Sequence, residues 1–153
     1  MIIRKANTND YNDVIKLYKQ LHDTEVVFDD NINREFLIDE KNEKIIKNKL
    51  KSRKYIFLVA EVDNKIVGLL DGYIIDSIFY LEKIGYLDHL CVDEEYRNNQ
   101  IGSKLIKEFI NISKKKKAKY IKLNSFNNNK SINLYKRLGF KEYSSFYISE
   151  IND

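Results

Sequence analysis

The first stretch suited to chemistry lies between Leu90 and Ser103. In this stretch an apolar strand pattern is followed by a polar turn and then by a helix pattern. The first amide N–H groups of a helix have no partner within it and carry a partial positive charge, so such a turn can bind an anion. A small residue such as Gly102 lets a diphosphate approach that backbone closely. Neither a P-loop nor a GxGxxG fingerprint is present, so these residues alone leave open an anion site and an ordinary strand-to-helix connection.

A second stretch with chemical potential runs from Asn128 to Phe140. Ile132, Tyr135 and Leu138 share one face of a predicted short helix, and Gly139 stands where helices favour a left-handed residue. The phenol of a tyrosine has an ordinary pKa near about 10 and can donate a proton at neutral pH. Without its neighbours, however, the pattern favours a core tyrosine in an amphipathic helix.

The elements that position these stretches alternate between strand and helix patterns. Six strands are predicted, over Met1–Lys5, Tyr55–Val62, Ile66–Ile75, Gly85–Val92, Tyr120–Asn124 and Phe140–Ile148. Four helices are predicted: one N-capped by Thr8, then Arg34–Lys51, Ile101–Lys117 and the short helix around Tyr135. This order predicts a mixed α/β fold with helices on both faces of the sheet. The segment Gly85–Val92, apolar on both faces, is the predicted central strand, and the strand–helix–strand unit that follows is predicted to be parallel.

Composition narrows the class of protein. The 153 residues are 43% hydrophobic, 33% charged and 12% aromatic, which is typical of one folded domain and excludes fibrous and disordered classes. The single cysteine, Cys91, and the two histidines, His22 and His89, are too few for a disulfide scaffold or a structural zinc site. No apolar run approaches the about 20 residues of a membrane span, and the N-terminus turns polar too early for a secretory signal. We therefore predict a cytoplasmic protein.

The charge balance is modest. The 27 basic and 23 acidic residues leave a net charge of +4, which does not by itself indicate a nucleic-acid partner. The one dense basic run, Lys114–Lys117, falls at a predicted helix C-terminus, where lysines interact favourably with the helix dipole. Nucleic-acid binding at this run is accordingly the least favoured hypothesis.

Two motifs resemble those of the GNAT superfamily of N-acetyltransferases. The segment Arg97–Gly102 is similar to the family's Arg/Gln-x-x-Gly-x-Gly/Ala, with Gln100 in place of the first glycine. The segment Asn128–Phe140 is similar to Asn-x-x-Ala-x-x-x-Tyr-x-x-x-Gly-Phe, with Ser131 in place of the alanine. The motifs occur in the family's order, and the resemblance extends over nearly the whole chain except Glu25–Lys51.

The resemblance implies a GNAT-like acetyltransferase domain over residues 1–153, with a mostly antiparallel sheet, a splayed parallel pair and acetyl-coenzyme A as co-substrate. No metal is implied. The acceptor is a small-molecule or peptide amine, with no nucleic acid or membrane as partner, and the likeness admits a homodimer. The implied cofactor-binding residues are Leu90, Cys91, Val92, Arg97, Asn98, Asn99, Gln100, Ile101, Gly102, Ser103, Asn128, Ser131 and Tyr135.

Acetyl transfer from a thioester builds negative charge on the carbonyl oxygen and then on the departing sulfur. Backbone N–H groups of Leu90–Val92 are predicted to serve the oxygen, and Tyr135 is the predicted acid for the sulfur. Cys91 is predicted to be buried rather than nucleophilic.

The attacking amine must also lose a proton. Asp88 is the predicted base, because period-two alternation places it with Tyr86, Leu90 and Val92 on an apolar face that would raise its pKa. The alternative for Asp88 is an aspartate at a sheet end, bonded to a turn. The other candidate bases are Glu61, Tyr86 and His89.

The acceptor region carries the weakest signal. His22 falls in a region that often forms a wall of the acceptor pocket in the family, and the alternative is a residue that faces solvent. Glu25, Phe28 and Asp29 could select a cationic amine, but charged loops are usually hydrated, so these residues receive no assignment. The main alternative function is an acyl-coenzyme A sensor without turnover, and Gln100 is the residue that favours it.

Overall fold

One mixed sheet organises the chain. In the computed structural model, which describes residues 1–36, 38–145 and 147–149, the strands are β1 (Ile2–Lys5), β2 (Tyr55–Val62), β3 (Lys65–Ile75), β4 (Lys83–Val92) and β5 (Ala118–Leu123). They lie in chain order across the sheet, and every neighbouring pair is antiparallel except β4 with β5. The helices are α1 (Tyr11–Glu25), α2 (Glu40–Lys51), α3 (Ile101–Lys115) and α4 (Ile132–Arg137).

Two apolar cores lie on opposite faces of the sheet. Val14 and Leu17 of α1 pack with Leu69 in one core, while Leu105 and Phe109 of α3 pack in the other. Side chains alternate across a strand, so β3 supplies both cores with buried residues. The predicted fold class, a mostly antiparallel sheet with one parallel pair and helices on both faces, is confirmed.

The central strand is β3, and the prediction that Gly85–Val92 is central was wrong. β3 is paired along its length with β2 and with β4. By contrast, β4 has β5 beside it only from Lys83 to Leu87. The apolar character of β4 therefore reflects contacts with helices on its two faces rather than a position in the middle of the sheet.

Two helix starts also differ from the predictions. α1 follows directly on a 3-10 turn, Thr8–Asp10, and Asn7 rather than Thr8 caps that turn: its side chain accepts from the Asn9 amide, and its own amide donates to Asp10 at 2.8 Å. The second helix begins at Glu40 rather than Arg34. The Asp39 side chain caps it by accepting a hydrogen bond from the Asn42 amide at 2.7 Å. The charged residues before Glu40 have a composition typical of helices, but the helix begins only after the Asp39 cap.

The described residues of the segment Phe140–Ile148, which exclude Phe146, do not form the strand that was predicted there. Phe140 packs against the α3 core, but Tyr143, Tyr147 and Ile148 are largely exposed. Strand propensity depends on a neighbouring strand and a covered face, and this segment has neither. Within the part of the chain that the structure describes, no helix is long and apolar enough to cross a bilayer.

Candidate active site

The second half of β4 has an open edge. β5 ends beside Leu87, whereas β4 continues to Val92. The Asp93 amide donates to the Val67 carbonyl at 2.9 Å, so alternation along the antiparallel ladder turns the amides of Leu90 and Val92 away from β3. The Val92 carbonyl accepts from Arg97 Nε at 3.1 Å, as this orientation requires. Two strand-end amides therefore face the gap beside β4 beyond Leu87, where β5 no longer pairs with it.

Cys91 is turned the other way. It lies opposite Leu69 in the ladder, and its side chain is buried in the core beneath α1. Burial raises the pKa of the Cys91 thiol to about 11, so the thiol is protonated at neutral pH and suited to packing. The structure thus places a buried cysteine here, as the sequence predicted.

The start of α3 adjoins this gap. The first hydrogen bond of the helix is donated by the Lys104 amide to the Gln100 carbonyl at 3.0 Å, so the amides of Ile101, Gly102 and Ser103 precede the helical ladder. A Cβ on Gly102 would lie 3.8 Å from Val92 Cγ2. The anion-binding end of a helix and the open strand edge are therefore neighbours.

The turn before α3 depends on two left-handed residues. Asn98 has a φ of 65° and Gln100 a φ of 61°. The position of Gln100 is usually a glycine in the family motif. The left-handed conformation found there accounts for that preference, since glycine adopts this conformation without strain. Gln100 keeps that backbone geometry, which removes the structural argument for a lost cofactor site. Asn99 braces the turn by donating to the carbonyls of Tyr96 and Arg97.

This geometry predicts opposite effects of two substitutions at Gln100. Gln100→Gly should leave stability unchanged or raise it by less than about 1 kcal/mol, because relief of strain is partly offset by a more flexible unfolded chain. Gln100→Val should lower stability by about 1 kcal/mol or more, because a β-branched residue is disfavoured at positive φ. Urea denaturation measures both, and equal stability of the two variants would contradict the left-handed assignment.

Tyr135 lies on α4, which adjoins the start of α3, because Leu134 Cδ2 lies 3.3 Å from the position of a Cβ at Gly102. Its ring packs edge-on against Phe140 at 6.0 Å, and Gly139, at a φ of 88°, closes the helix. Burial raises the pKa of Tyr135 to about 12, with a contribution from the charge of Glu25 and an opposing hydrogen bond from Ser131. The phenol is therefore protonated at neutral pH, as a proton donor must be.

The turn before α4 is held by a local bond. The Ser131 amide and hydroxyl both donate to Asn129 Oδ1, at 2.9 and 2.7 Å. Asn128, the residue that the motif aligns with the family's asparagine, is exposed in this turn. The small Ser131 and the exposed Asn128 thus sit at the beginning of the helix that carries Tyr135.

A β-bulge overturns the predicted placement of Asp88. Asp71 lies opposite His89 and Gly72 opposite Leu87, so Asp88 is an extra residue in β4. The bulge puts Asp88 and His89 on one face, whereas Leu90 and Val92 pack with the core beneath α3. Asp88 instead lies 3.3 Å from Lys49 Nζ. The prediction that Asp88 shares an apolar face with Leu90 and Val92 was wrong.

The same face holds a buried charge that sequence reasoning missed. Asp71 is fully buried, accepts a hydrogen bond from the Tyr18 hydroxyl, and lies 3.0 Å from His89 Nδ1 and 3.5 Å from Lys49 Nζ. Burial opposes ionisation of Asp71, but the bond to His89 and the nearby positive charges hold its pKa below the usual range. A lone aspartate within the apolar run Ile66–Ile75 was the signal available in the sequence.

His89 carries the complementary shift. Burial disfavours its charged form, but the hydrogen bond to Asp71 and the charges of Asp71 and Asp88 raise the pKa of His89 above its usual value. Asp71, Asp88 and His89 present possible metal-ligand atoms within 4.8 Å of one another. The Lys49 ammonium lies close to both carboxylates, however, and supplies the positive charge that a metal cation would supply. The cluster is thus an ion-pair network.

The remaining predicted bases have separate partners. Glu61 accepts from Arg4 Nε at 2.8 Å, and Arg4 also pairs with Asp10, so Glu61 belongs to the β1–β2 side of the sheet. Tyr86 packs against the Tyr73 ring at 5.4 Å. Neither side chain lines the cavity described next.

A cavity of about 380 Å³ lies between α1, α2 and the segment that joins them. It is lined by Tyr18, Leu21, His22, Glu25, Ile32, Phe36, Ile38, Asn42, Ile45, Ile46, Lys49 and His89. His22, for which the sequence left a pocket wall and a solvent-facing position open, lines this cavity. Glu25, which received no assignment, is half-buried here, and burial raises the pKa of its carboxyl group.

A parallel pair that ends halfway along β4, free helix amides beside the open edge and a half-buried tyrosine on the adjoining helix α4 are the features of an acyltransferase type of site. The chain belongs to the acetyltransferase (GNAT) family, which it matches over residues 18–140. The resemblance seen in the two sequence motifs is thereby confirmed.

Individual relatives agree with this assignment. The chain is 28% identical over 149 residues to an N-alpha-acetyltransferase of Sulfurisphaera tokodaii, covering 92% of this chain and 80% of the relative. It is 30% identical over 114 residues to the probable N-acetyltransferase camello of Xenopus laevis, covering 71% of this chain and 47% of that protein. In fold it is similar to a mutant of the BH1408 protein of Bacillus halodurans, with a TM-score of 0.87 at 23% identity over 99% of this chain and all of that one.

Proposed function

We propose that this protein transfers the acetyl group of acetyl-coenzyme A directly to a primary amine while both substrates are bound. The observation that carries the proposal is that three elements adjoin one another: the open edge of β4, the start of α3 with its free amides, and α4, whose Leu134 lies against Gly102 and which carries the protonated phenol of Tyr135. N-alpha-acetyltransferase, the name of the Sulfurisphaera tokodaii relative, supports an amine as acceptor.

The residues present suit coenzyme A. The amides of Ile101, Gly102 and Ser103 would hold its diphosphate. The missing Cβ of Gly102 makes room for Leu134 of α4, whose Cδ2 would lie 3.3 Å from it. Amides of the open β4 edge would bind the amide-containing arm of the cofactor in the manner of an added strand. Bound there, acetyl-coenzyme A supplies a thioester whose carbonyl carbon is open to attack.

Each protein group then has one task. A β4 amide, from Leu90 or Val92, donates to the carbonyl oxygen as negative charge builds on it. The Tyr135 hydroxyl donates its proton to the departing sulfur. The base that takes the proton of the ammonium is a carboxylate, and Asp88 and Glu25 are the two candidates near the cavity.

A charge placed at the start of α3 tests the diphosphate site. Ser103→Asp should lower coenzyme A affinity at least about tenfold, since a carboxylate there repels the diphosphate. The same change should preserve stability or raise it by a few tenths of a kcal/mol, because acids near a helix N-terminus are favourable. Titration calorimetry and urea denaturation measure the two effects.

The matched control is Asn111→Asp, which adds the same charge to an exposed position far along α3. It should leave coenzyme A affinity unchanged. Equal coenzyme A affinities of the Ser103 variant and the wild type would show that the diphosphate does not bind at this helix end. The absence of any binding heat with the wild type would overturn the proposed function.

Thiol release with a panel of amines tests turnover. Release that depends on both acetyl-coenzyme A and an amine is the expected result. Tight cofactor binding with no release for any amine would instead identify the acyl-coenzyme A sensor.

A further inference from the structure

The walls of the cavity between α1 and α2 are mainly apolar. Six pure hydrocarbon side chains line it: Leu21, Ile32, Phe36, Ile38, Ile45 and Ile46. Its volume of about 380 Å³ lies toward the small end of ligand pockets, which span about 300–1,000 Å³. Such walls favour an apolar group, because burial of apolar surface is the main favourable term they can offer.

Among the described residues that line this cavity, Glu25 is the one carboxylate. Three acids of the joining segment and of α2 lie outside the cavity lining and have partners of their own. Asp30 pairs with an arginine at 2.5 Å, Asp39 caps α2, and Glu43 pairs with a lysine one turn away. A ligand with several positive charges would leave most of them unmatched in these walls, which is costly in a partly buried site.

The cationic side chains of the cavity are already neutralised. Lys49 and His89 line it, and both are paired with Asp71 and Asp88. His22, the other imidazole of the wall, lies 3.2 Å from Asp23. Among the described residues Glu25 makes no direct ion pair, although the charges of His89 and His22 act on its carboxyl group. This arrangement suits one ammonium group at Glu25.

Glu25 also lies toward the proposed reaction centre. Its negative charge contributes to the raised pKa of Tyr135 and of Cys91, so it lies within electrostatic reach of the gap between β4 and α4. His89, another wall residue, directly precedes Leu90, whose amide faces that gap. The cavity and the proposed acetyl-transfer site are therefore adjacent.

We infer that the acceptor is a primary amine carrying a single apolar substituent, with its amino group at Glu25 and its apolar part between α1 and α2. This inference rests on the proposed function. The ligand chemistry is shared by free arylalkyl or alkyl amines and by peptides whose first residue is apolar.

The proton and bond changes balance through the named groups. Glu25 removes one proton from the ammonium, and the nitrogen lone pair forms the C–N bond to the acetyl carbon. The C–S bond breaks, and the Tyr135 hydroxyl gives its proton to the sulfur. The new amide nitrogen releases its surplus proton through water, which restores Tyr135, and Glu25 returns its proton to solvent.

Acceptor preference is the first test, measured as thiol release at saturating acetyl-coenzyme A. The panel is 2-phenylethylamine, a tetrapeptide beginning with leucine, spermidine and kanamycin. At least one of the first two should exceed both polycations by at least about tenfold in kcat/KM, and the two arms separate a free amine from a peptide N-terminus. A preference for spermidine or kanamycin would overturn the inference while leaving the proposed function intact, whereas no release with any amine would contradict the proposed function itself.

Variants at Glu25 test the base. A carboxylate acts as a base above its pKa, so the wild-type rate should fall as pH drops through the pKa of Glu25, which burial raises. Glu25→Gln should lower kcat/KM for the preferred amine by about 10²-fold and abolish this acidic limb. The matched control is Glu35→Gln, which changes an exposed acid of the segment that joins α1 and α2. This variant should retain both the rate and its acidic limb.

Ligand binding provides a readout independent of turnover. Phe36→Ala should weaken binding of the preferred amine at least about fivefold, measured by calorimetry on the coenzyme A complex, without changing coenzyme A affinity. An unaltered acidic limb in Glu25→Gln, or loss of that limb in Asp88→Asn instead, would overturn the role of Glu25.

Discussion

Replacing Tyr135 with phenylalanine is expected to lower kcat by about 10²-fold or more while leaving coenzyme A affinity nearly unchanged. A positioned proton donor contributes about 10²–10⁴-fold to a rate, and this substitution removes only the hydroxyl. The ring contact with Phe140 and the core packing of α4 should persist, so the variant should fold. Steady-state thiol release gives kcat, and titration calorimetry gives the affinity.

The control is the same loss of a hydroxyl at Tyr143, which is 80% exposed and lies outside the cleft. Tyr143→Phe should match the wild type. Since burial raises the pKa of Tyr135 to about 12, its proton should be retained across the usual assay range, and Tyr135 should cause no fall in rate below about pH 10. Unchanged kcat in Tyr135→Phe would remove this residue from the mechanism, and a loss confined to coenzyme A affinity would make it a binding residue.

Asp71→Asn should lower the free energy of unfolding by about 3 kcal/mol. The substitution keeps the size of the side chain but removes the buried charge that pairs with His89 and Lys49. Removing one partner of a buried ion pair costs about 3–5 kcal/mol, and the low end applies because Asp88 remains beside Lys49. Urea denaturation monitored by circular dichroism measures the loss.

The pH dependence of that loss has a definite sign. The lowered pKa of Asp71 contributes stability above about pH 3.9, the ordinary value of an aspartate, and this contribution disappears as pH falls through the folded-state pKa. The raised pKa of His89 contributes stability that is complete below about pH 6.5 and disappears as pH rises through its folded-state pKa. The difference between wild type and Asp71→Asn should therefore be greatest between about pH 4 and 6.5.

A second carboxylate provides the comparison. Asp76→Asn removes the acid from the exposed Asp76–Lys83 pair, and surface pairs contribute about 1 kcal/mol or less. Equal losses in the two variants, or a difference that does not vary with pH, would contradict the charged network around Asp71.

Local patterns were enough to predict the elements that carry the cofactor site. The helical spacing after Gln100 predicted α3, and the segment ending in Gly139 predicted a short helix with a left-handed cap. Both depend on contacts between residues close in the chain, so the motif itself holds the required information. The same reasoning could not locate the start of α2, because a charged segment is compatible with helix on either side of the Asp39 cap.

Long-range contacts escaped that reasoning. The group formed by Asp71, Tyr18, Lys49 and His89 joins two strands and two helices that are distant in the sequence. The bulge at Asp88 reversed the expected alternation of β4, since a strand pattern has no marker for one inserted residue. Strand propensity in the segment after Phe140 was likewise insufficient without a paired neighbour.

The sequence by itself determined the family, the sheet-and-helix class and the tyrosine proposed as acid, because these follow from short motifs and from the periodicity of apolar residues. Only the tertiary structure decided which carboxylates line the cavity between α1 and α2 and which side chains neutralise one another. Those outcomes depend on strand register and on how α1 and α2 pack over the sheet, and a change of one residue in register turns every later side chain to the other face.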